Sequence, residues 1–183
     1  MSVLVASDLD RTLIYSAAAA GTPPPADLVT VELYEGRAIS FLTATAAALL
    51  VELSARVPVV PVTTRTPAQL ARVRLPGTLS SYAVAANGGV LLVDGEPDAG
   101  WTAQVAVAVG AVAPLAEAVA VLTAATDPAW STEPRIAADL FVYTVLDRAA
   151  LPAGVVPELL AWAGPAGWGV SLQAASSTWC RRR

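Results

Sequence analysis

Histidine and lysine are both missing from this 183-residue chain, and cysteine and methionine occur once each. Without histidine there is no Ser-His or Cys-His catalytic pair and no histidine metal ligand. A single cysteine, Cys180, excludes an intrachain disulfide framework and fits a reducing compartment. Charge is sparse as well: 14% of residues are charged and the net charge is -4. No basic stripe exists beyond the last three residues, which argues against nucleic acid as a partner. The N-terminus has no basic region and its apolar stretch stops at Asp8, too soon for a signal peptide. These absences place the protein in the cytoplasm, away from membranes.

What the chain has in quantity is apolar side chain, 55% of all residues, enough for a sizeable core. Its length suits one domain, or a small core with an insert. The long apolar segment from Val105 to Ala125 is mostly alanine and valine and is interrupted by Pro114 and Glu117. That composition predicts a buried or half-buried helix rather than a membrane span. The alanine excess throughout reads as a GC-rich coding sequence, not as a repeat.

The chemistry concentrates between Val3 and Leu13, where an apolar run ends in Asp8-Leu9-Asp10-Arg11-Thr12. An apolar run of strand length ahead of a loop is typical of a parallel strand covered on both faces. In open α/β sheets, ligands bind outside the carboxyl ends of such strands, where Asp8 and Asp10 would sit. Two carboxylates this close repel, and a site that needs both ionised usually holds a divalent cation; oxygen ligands of this kind suit Mg²⁺. The structural alternative is a strand followed by an Asx-type turn that caps a helix.

Two further stretches have a related form. Val57 to Val62 is a β-branched run leading into Thr63-Thr64-Arg65-Thr66-Pro67, with Thr66 as an N-cap and Pro67 at the first helical position. A hydroxyl at the end of a strand just before a helix can bind a phosphate oxygen, although Thr63 and Thr64 also suit an ordinary turn. Tyr82 to Ala86 then runs into Asn87-Gly88, and a second strand follows from Val90, which predicts a hairpin. Between these stretches, Ser16 to Pro25 reads as a loop and Leu28 to Leu33 as a short strand or part of a flap. Ser40 to Arg56 reads as a helix, with Leu42, Ala46, Leu49, Leu50 and Leu53 at helical spacing and Ser40 as its cap.

Asp8-Leu9-Asp10-Arg11-Thr12 resembles the first motif of the haloacid dehalogenase superfamily, most of whose members are Mg²⁺-dependent phosphatases. The strand ending at Thr63 resembles the second motif, and Asn87-Gly88-Gly89 resembles the junction where members of the type IIB cap class leave the core. The resemblance implies an α/β fold: a Rossmann-like core with a parallel, incomplete sheet over residues 1–90 and an α+β cap over 91–173. The cap reading expects a helix within Val105 to Ala125, strands in Leu140 to Leu146 and Trp168 to Gln173, and a helix in Val156 to Trp162. Trp101, Trp130, Trp162 and Trp168 suit either a pocket lining or core.

Carried over residue by residue, the resemblance makes Asp8 the nucleophile, Asp10 the general acid and base, and Thr63 the phosphate-binding hydroxyl. Mg²⁺ would be held by the Asp8 carboxylate and the Asp10 backbone carbonyl. Thr12, Thr64, Arg65 and Asn87 would stand on the substrate side, with Thr12 also supporting the loop. The implied reaction is hydrolysis of a small phosphorylated metabolite, a sugar phosphate, through an aspartyl phosphate. A catalytically impaired fragment or binding module of the same fold, and a phosphomutase, are the alternatives.

A third motif with a cation and a fourth with further aspartates are not found. Asp94 and Asp98 mimic the fourth, but Gly95-Glu96-Pro97 between them is turn chemistry; a compact capless enzyme with both on the metal is the minority reading. Residues 174–183 look non-native. One choice of codons for residues 174–182, with one base restored ahead of Ala174, reads Gly-Arg-Lys-Leu-Tyr-Val-Val-Pro-Pro, a turn, strand and proline exit, which suggests a frameshift near Gln173; an ordinary polar tail is the alternative. Loss of one cationic stabiliser typically costs about 100 to 1000-fold in rate, so turnover from this chain is expected to be feeble.

Overall fold

In a computed structural model of the chain, which describes residues 3–173 and 176–181, the apolar run ahead of Leu9 is a strand, β1 (Val5–Asp8). The chain divides into two units, Met1–Thr102 and Ala103–Arg183. In the first, a hairpin follows, made of β2 (Leu28–Tyr34) and β3 (Arg37–Thr43). Its turn residues Glu35 and Gly36 both have positive φ, 50° and 74°, the geometry that matches the twist of a two-residue hairpin.

The helix expected from Ser40 starts later, as α1 (Ala44–Ser54). Ser40 is not its cap: Thr43 is, its hydroxyl accepting from the N–H of Ala46 at 3.2 Å. Leu42 satisfies both the helical spacing to Ala46 and the alternation of a strand, and pairing with β2 decides for the strand. Then come β4 (Val59–Val62) and the one-turn α2 (Pro67–Leu70). Here the predicted start is observed, with Pro67 in the first turn and Thr66 and Gln69 exchanging bonds in a capping box.

β5 (Tyr82–Ala85) and β6 (Val90–Val93) form the hairpin expected around Asn87-Gly88, and β7 (Glu96–Pro97) adds a last short strand. Asp94 and Gly95, at φ 52° and 87°, make the tight turn between β6 and β7. The sheet order is β1-β4-β5-β6-β7, with β1, β4 and β5 parallel and the rest antiparallel. The turn at Asn87 therefore returns the chain to the same sheet, and residues 91–102 lie with the first unit. Leu9, Ile14, Val31, Leu42, Leu50 and Val59 form the core of this unit.

The helix expected within Val105 to Ala125 is two helices, α3 (Ala99–Gly110) and α4 (Leu115–Ala125). Pro114 stands at the N-cap of α4, a position that loses nothing by lacking an N–H. β8 (Arg135–Ala137), β9 (Phe141–Val145), α5 (Val155–Ala166), β10 (Trp168–Gln173) and β11 (Ser176–Arg181) complete the second unit. Its sheet is antiparallel, in the order β10-β11-β9-β8.

Ala118, Leu122, Val142, Leu159, Ala163 and Trp168 fill the core between helices and sheet. Trp168 and Trp130 are buried, and Trp162 packs against that core, so these three aromatics serve packing. The segment 176–181, which reads as foreign in the sequence, pairs on both sides as β11; positions 174, 175, 182 and 183 lie outside the described residues. Among the described residues no single helix is long and apolar enough to cross a membrane.

Candidate active site

β1, β4 and β5 end at one edge of the sheet. Asp8 is paired with Val62, and Val62 with Val84, so the segments that leave these strands, 9–14, 63–66 and 86–89, emerge side by side. This is the carboxyl-end position expected for ligands in a parallel sheet.

Leu9 is fully buried and anchors the first of these segments. Its carbonyl accepts from the N–H groups of Thr12, Leu13 and Ile14 at 3.2, 2.9 and 2.9 Å, and Arg11 is turned to φ 64°. Asp8 and Asp10 are left exposed on either side of it. The Thr12 hydroxyl donates to Asp8 Oδ2 at 3.1 Å, so Thr12 orients the carboxylate. Asp8 Oδ1 has no protein donor among the described residues.

Thr63 is buried. Its N–H donates to the Val84 carbonyl at 2.8 Å, its carbonyl accepts from Asn87 N at 3.0 Å, and its hydroxyl accepts from Arg65 N at 3.1 Å. Arg65 returns its carbonyl to Ala86 N at 2.7 Å. The turn at Ala86, Asn87 and Gly88, with φ of 50°, 56° and 86°, is thus docked main chain to main chain on the loop after β4. Thr64 and Asn87 are exposed beside Thr63.

Arg65, expected near substrate, is engaged by protein acids. Its Nε and Nη2 donate to the two oxygens of Asp10, both at 2.8 Å, a fork-to-fork pairing. Its Nη1 donates to Glu32 Oε2 at 2.8 Å. Glu32, with a side chain 0% exposed, also accepts from the Ser40 hydroxyl at 2.6 Å and from Arg72 Nε at 3.2 Å. Arg72 in turn lies over the Tyr34 ring, 4.8 Å from its centroid. Burial pushes the Glu32 carboxyl up, but the bonds from Ser40, Arg65 and Arg72 and the charge of Arg65 outweigh it and hold the group below 4.5. The Asp10 bonds, assisted by Glu32, push Arg65 up despite its burial.

Glu32, Ser40 and Arg72 escape a reading of the sequence. Val31 and Glu32 are adjacent and both buried, which strand alternation forbids. The pairing of β2 with β3 shifts register on either side of Glu32, and this irregularity turns it inward. A bulge leaves no signature in the hydrophobic period. The one available signal was an acid set between aliphatic neighbours, Val31 and Leu33.

Among the described residues no group of three potential metal ligands occurs. Asp98 Oδ1 accepts from Trp101 N at 2.7 Å at the start of α3, and Asp94 belongs to the β6-β7 turn, so each has a structural role. The Asp8 carboxylate and the Asp10 main-chain carbonyl, which accepts from no main-chain N–H among the described residues, are hard oxygen donors of the kind Mg²⁺ takes.

Among solved structures, the sucrose-phosphatase of Synechocystis, determined with sucrose and phosphate, matches 73% of the chain with a TM-score of 0.53 and 13% identity. The chain shares the fold of that protein. The match spans 55% of that protein, about half its length. A trehalose-6-phosphate phosphatase related protein matches 98% of the chain and 68% of its own length at 17% identity and TM-score 0.49. The trehalose-6-phosphate phosphatase of Aspergillus fumigatus matches 98% of the chain and 60% of its own length at 16% identity and TM-score 0.45. No family model and no curated protein sequence matches the chain. At 13% identity the likeness to the sucrose-phosphatase is one of fold.

Proposed function

We propose that the chain carries the nucleophile-bearing part of a cytoplasmic, Mg²⁺-dependent phosphomonoester hydrolase that acts on a sugar phosphate through an aspartyl phosphate. The observation that supports it is the convergence of Asp8, Asp10 and Thr63 at the carboxyl ends of adjacent parallel strands in a sheet of this fold. The second unit is the cap module in this reading.

An Asp8 oxygen attacks phosphorus as the bond to the ester oxygen breaks, and Asp10 gives its proton to that oxygen, releasing the alcohol. Asp10, now a carboxylate, takes a proton from water, whose oxygen attacks the same phosphorus and breaks its bond to Asp8. Phosphate leaves and Asp8 is restored. The Thr63 hydroxyl, whose own hydrogen is uncommitted among the described residues, donates to a phosphoryl oxygen. Mg²⁺ held by the Asp8 carboxylate and the Asp10 carbonyl, with water completing its shell, would supply positive charge opposite the phosphoryl oxygens.

One observation favours a second reading, a binding module that does not turn over. Arg65 is already shared between Asp10 and Glu32, so a phosphoryl group must compete for the cation nearest the pair of aspartates. Hydrolysis of p-nitrophenyl phosphate with Mg²⁺ separates the two. A slow, Mg²⁺-dependent rate that disappears in Asp8→Asn supports the enzyme; equal rates in the two proteins overturn it. Phosphate binding without turnover supports the module. A rate typical of ordinary enzymes would refute the expectation of feeble activity.

A further inference from the structure

Glu32 is the buried charged residue of the described chain, and it sits in none of the motifs that carry the proposed chemistry. A carboxylate out of water needs several good partners, and Glu32 has them from three separate elements: Ser40 on β3, Arg65 after β4 and Arg72 after α2. The same segment is stitched down by the main chain, since Arg74 N donates to the Val31 carbonyl at 2.7 Å and Glu32 bridges to Val73. The hairpin thus delivers one immobile negative charge to one nitrogen of Arg65.

The consequence lies in how the guanidinium divides its donors. Two nitrogens face Asp10, whose side chain is 49% exposed, and the third faces Glu32. An exposed carboxylate does not fix its partner by itself, whereas the bond from Nη1 to the buried Glu32 fixes the plane in which the fork meets Asp10. An arginine held by Asp10 alone would turn with that exposed side chain. One held also by Glu32 stays in place.

We propose that Glu32 is a positioning residue: it pins Arg65 so that the guanidinium fork holds the Asp10 carboxyl group in one place beside Asp8. This rests on the phosphohydrolase reading above, but one of its tests does not. The test compares wild type with Glu32→Gln and, to restore charge balance if the single variant folds poorly, with Glu32→Gln/Arg72→Gln.

The first measurement is the side-chain ¹⁵N spectrum of the arginines, with the Arg65 signals assigned by their loss in Arg65→Lys. In the wild type, with all three nitrogens bonded, rotation about the Arg65 Nε–Cζ bond is expected to be slow and its two Nη groups distinct. In either Glu32 variant they merge. Distinct Nη signals retained in the folded variants would overturn the proposal, whatever the activity. The second measurement is turnover of p-nitrophenyl phosphate with Mg²⁺. Misplacement of a catalytic group by a fraction of its reach is expected to lower kcat about 10 to 100-fold with KM nearly unchanged. Adding Glu32→Gln to Asp10→Asn is expected to cost nothing further, because Glu32 acts through the Arg65-Asp10 pair. Additive losses, or a change confined to KM, would refute the role. If wild type and Asp8→Asn are equally inactive, the phosphohydrolase reading fails while the arginine spectrum still decides the positioning of Arg65.

Discussion

Replacing Arg65 with methionine removes the cation that joins the two acids and leaves Glu32 in the interior with less support. Breaking a buried ion pair by deleting one partner costs about 3–5 kcal/mol, because the remaining charge is uncompensated. Here Glu32 keeps Arg72 at 3.2 Å and Ser40 at 2.6 Å, which places the loss at the lower end. The Asp10 side adds little: that carboxylate is 49% exposed, and exposed pairs contribute about 0–1 kcal/mol. The expected loss is therefore about 3 kcal/mol at pH 7, a large share of a domain stability of about 5–15 kcal/mol. Urea unfolding, with hydrogen exchange of the Leu28–Thr43 hairpin, measures it.

The pH dependence fixes the cause. The folded-state carboxyl of Glu32 is depressed below 4.5, so in the wild type its contribution is fully present above that value and is lost as pH falls below it. Without Arg65, burial is opposed by fewer partners, and Glu32 takes up its proton at a higher pH than in the wild type. The deficit of the variant must then shrink as the solution is acidified toward about pH 4. A loss below about 1 kcal/mol at neutral pH, or one of equal size at both pH values, would refute the assignment of Glu32 as the charge that Arg65 compensates.

Thr43→Ala removes the hydroxyl that caps α1 and is expected to cost about 1 kcal/mol in urea unfolding, with the helix start frayed in hydrogen exchange. Leu122→Ala opens a cavity where Leu122 is 1% exposed beside Trp168, for about 3–5 kcal/mol, seen as early melting in the exchange of α4 and α5. The unpaired edge of β1 is expected to make the wild type self-associate, and Leu4→Lys, at a position 60% exposed just ahead of that strand, to reduce this in sedimentation velocity with circular dichroism unchanged. An unaltered sedimentation profile would show that the edge is not the sticky surface.

Local chemistry carried most of what could be read in advance. Asp8, Thr63 and Asn87 read as strand ends because apolar runs stop abruptly at polar residues, and the structure brings these strand ends together in one sheet. Thr66-Pro67 declared its helix through a cap and a proline, both of which act within a single turn. What was hidden depends on pairing between distant segments. Ser40 has the form of a helix cap, yet faces Glu32 across a hairpin. Arg65 reads as a residue near substrate, and nothing in the order of residues tells that a strand irregularity also turns Glu32 toward it. The route of residues 91–102 was likewise set by pairing, because a turn at Asn87 is compatible with leaving a sheet or rejoining it.

Charge decides what else this site requires. Asp8, Asp10 and Glu32 outnumber Arg65 and Arg72 in the cluster, and the phosphate monoester of the proposed reaction would bring more negative charge to it. Like charges about 4 Å apart repel by about 4 kcal/mol at an effective dielectric of about 20, so a phosphoryl group meets a barrier of that order at Asp8 unless a cation comes with it. Arg65 cannot meet that demand without giving up Asp10 or Glu32, because each of its three nitrogens is bonded to one of them. A hard cation on Asp8 and the Asp10 carbonyl answers part of it. The sheet shows where the rest has room. β1 is an edge strand bonded to β4 alone among the described residues, and Arg65 reaches Asp10 from the β4 side. The open side of β1 is therefore the side from which positive charge can approach Asp8 without displacing Arg65.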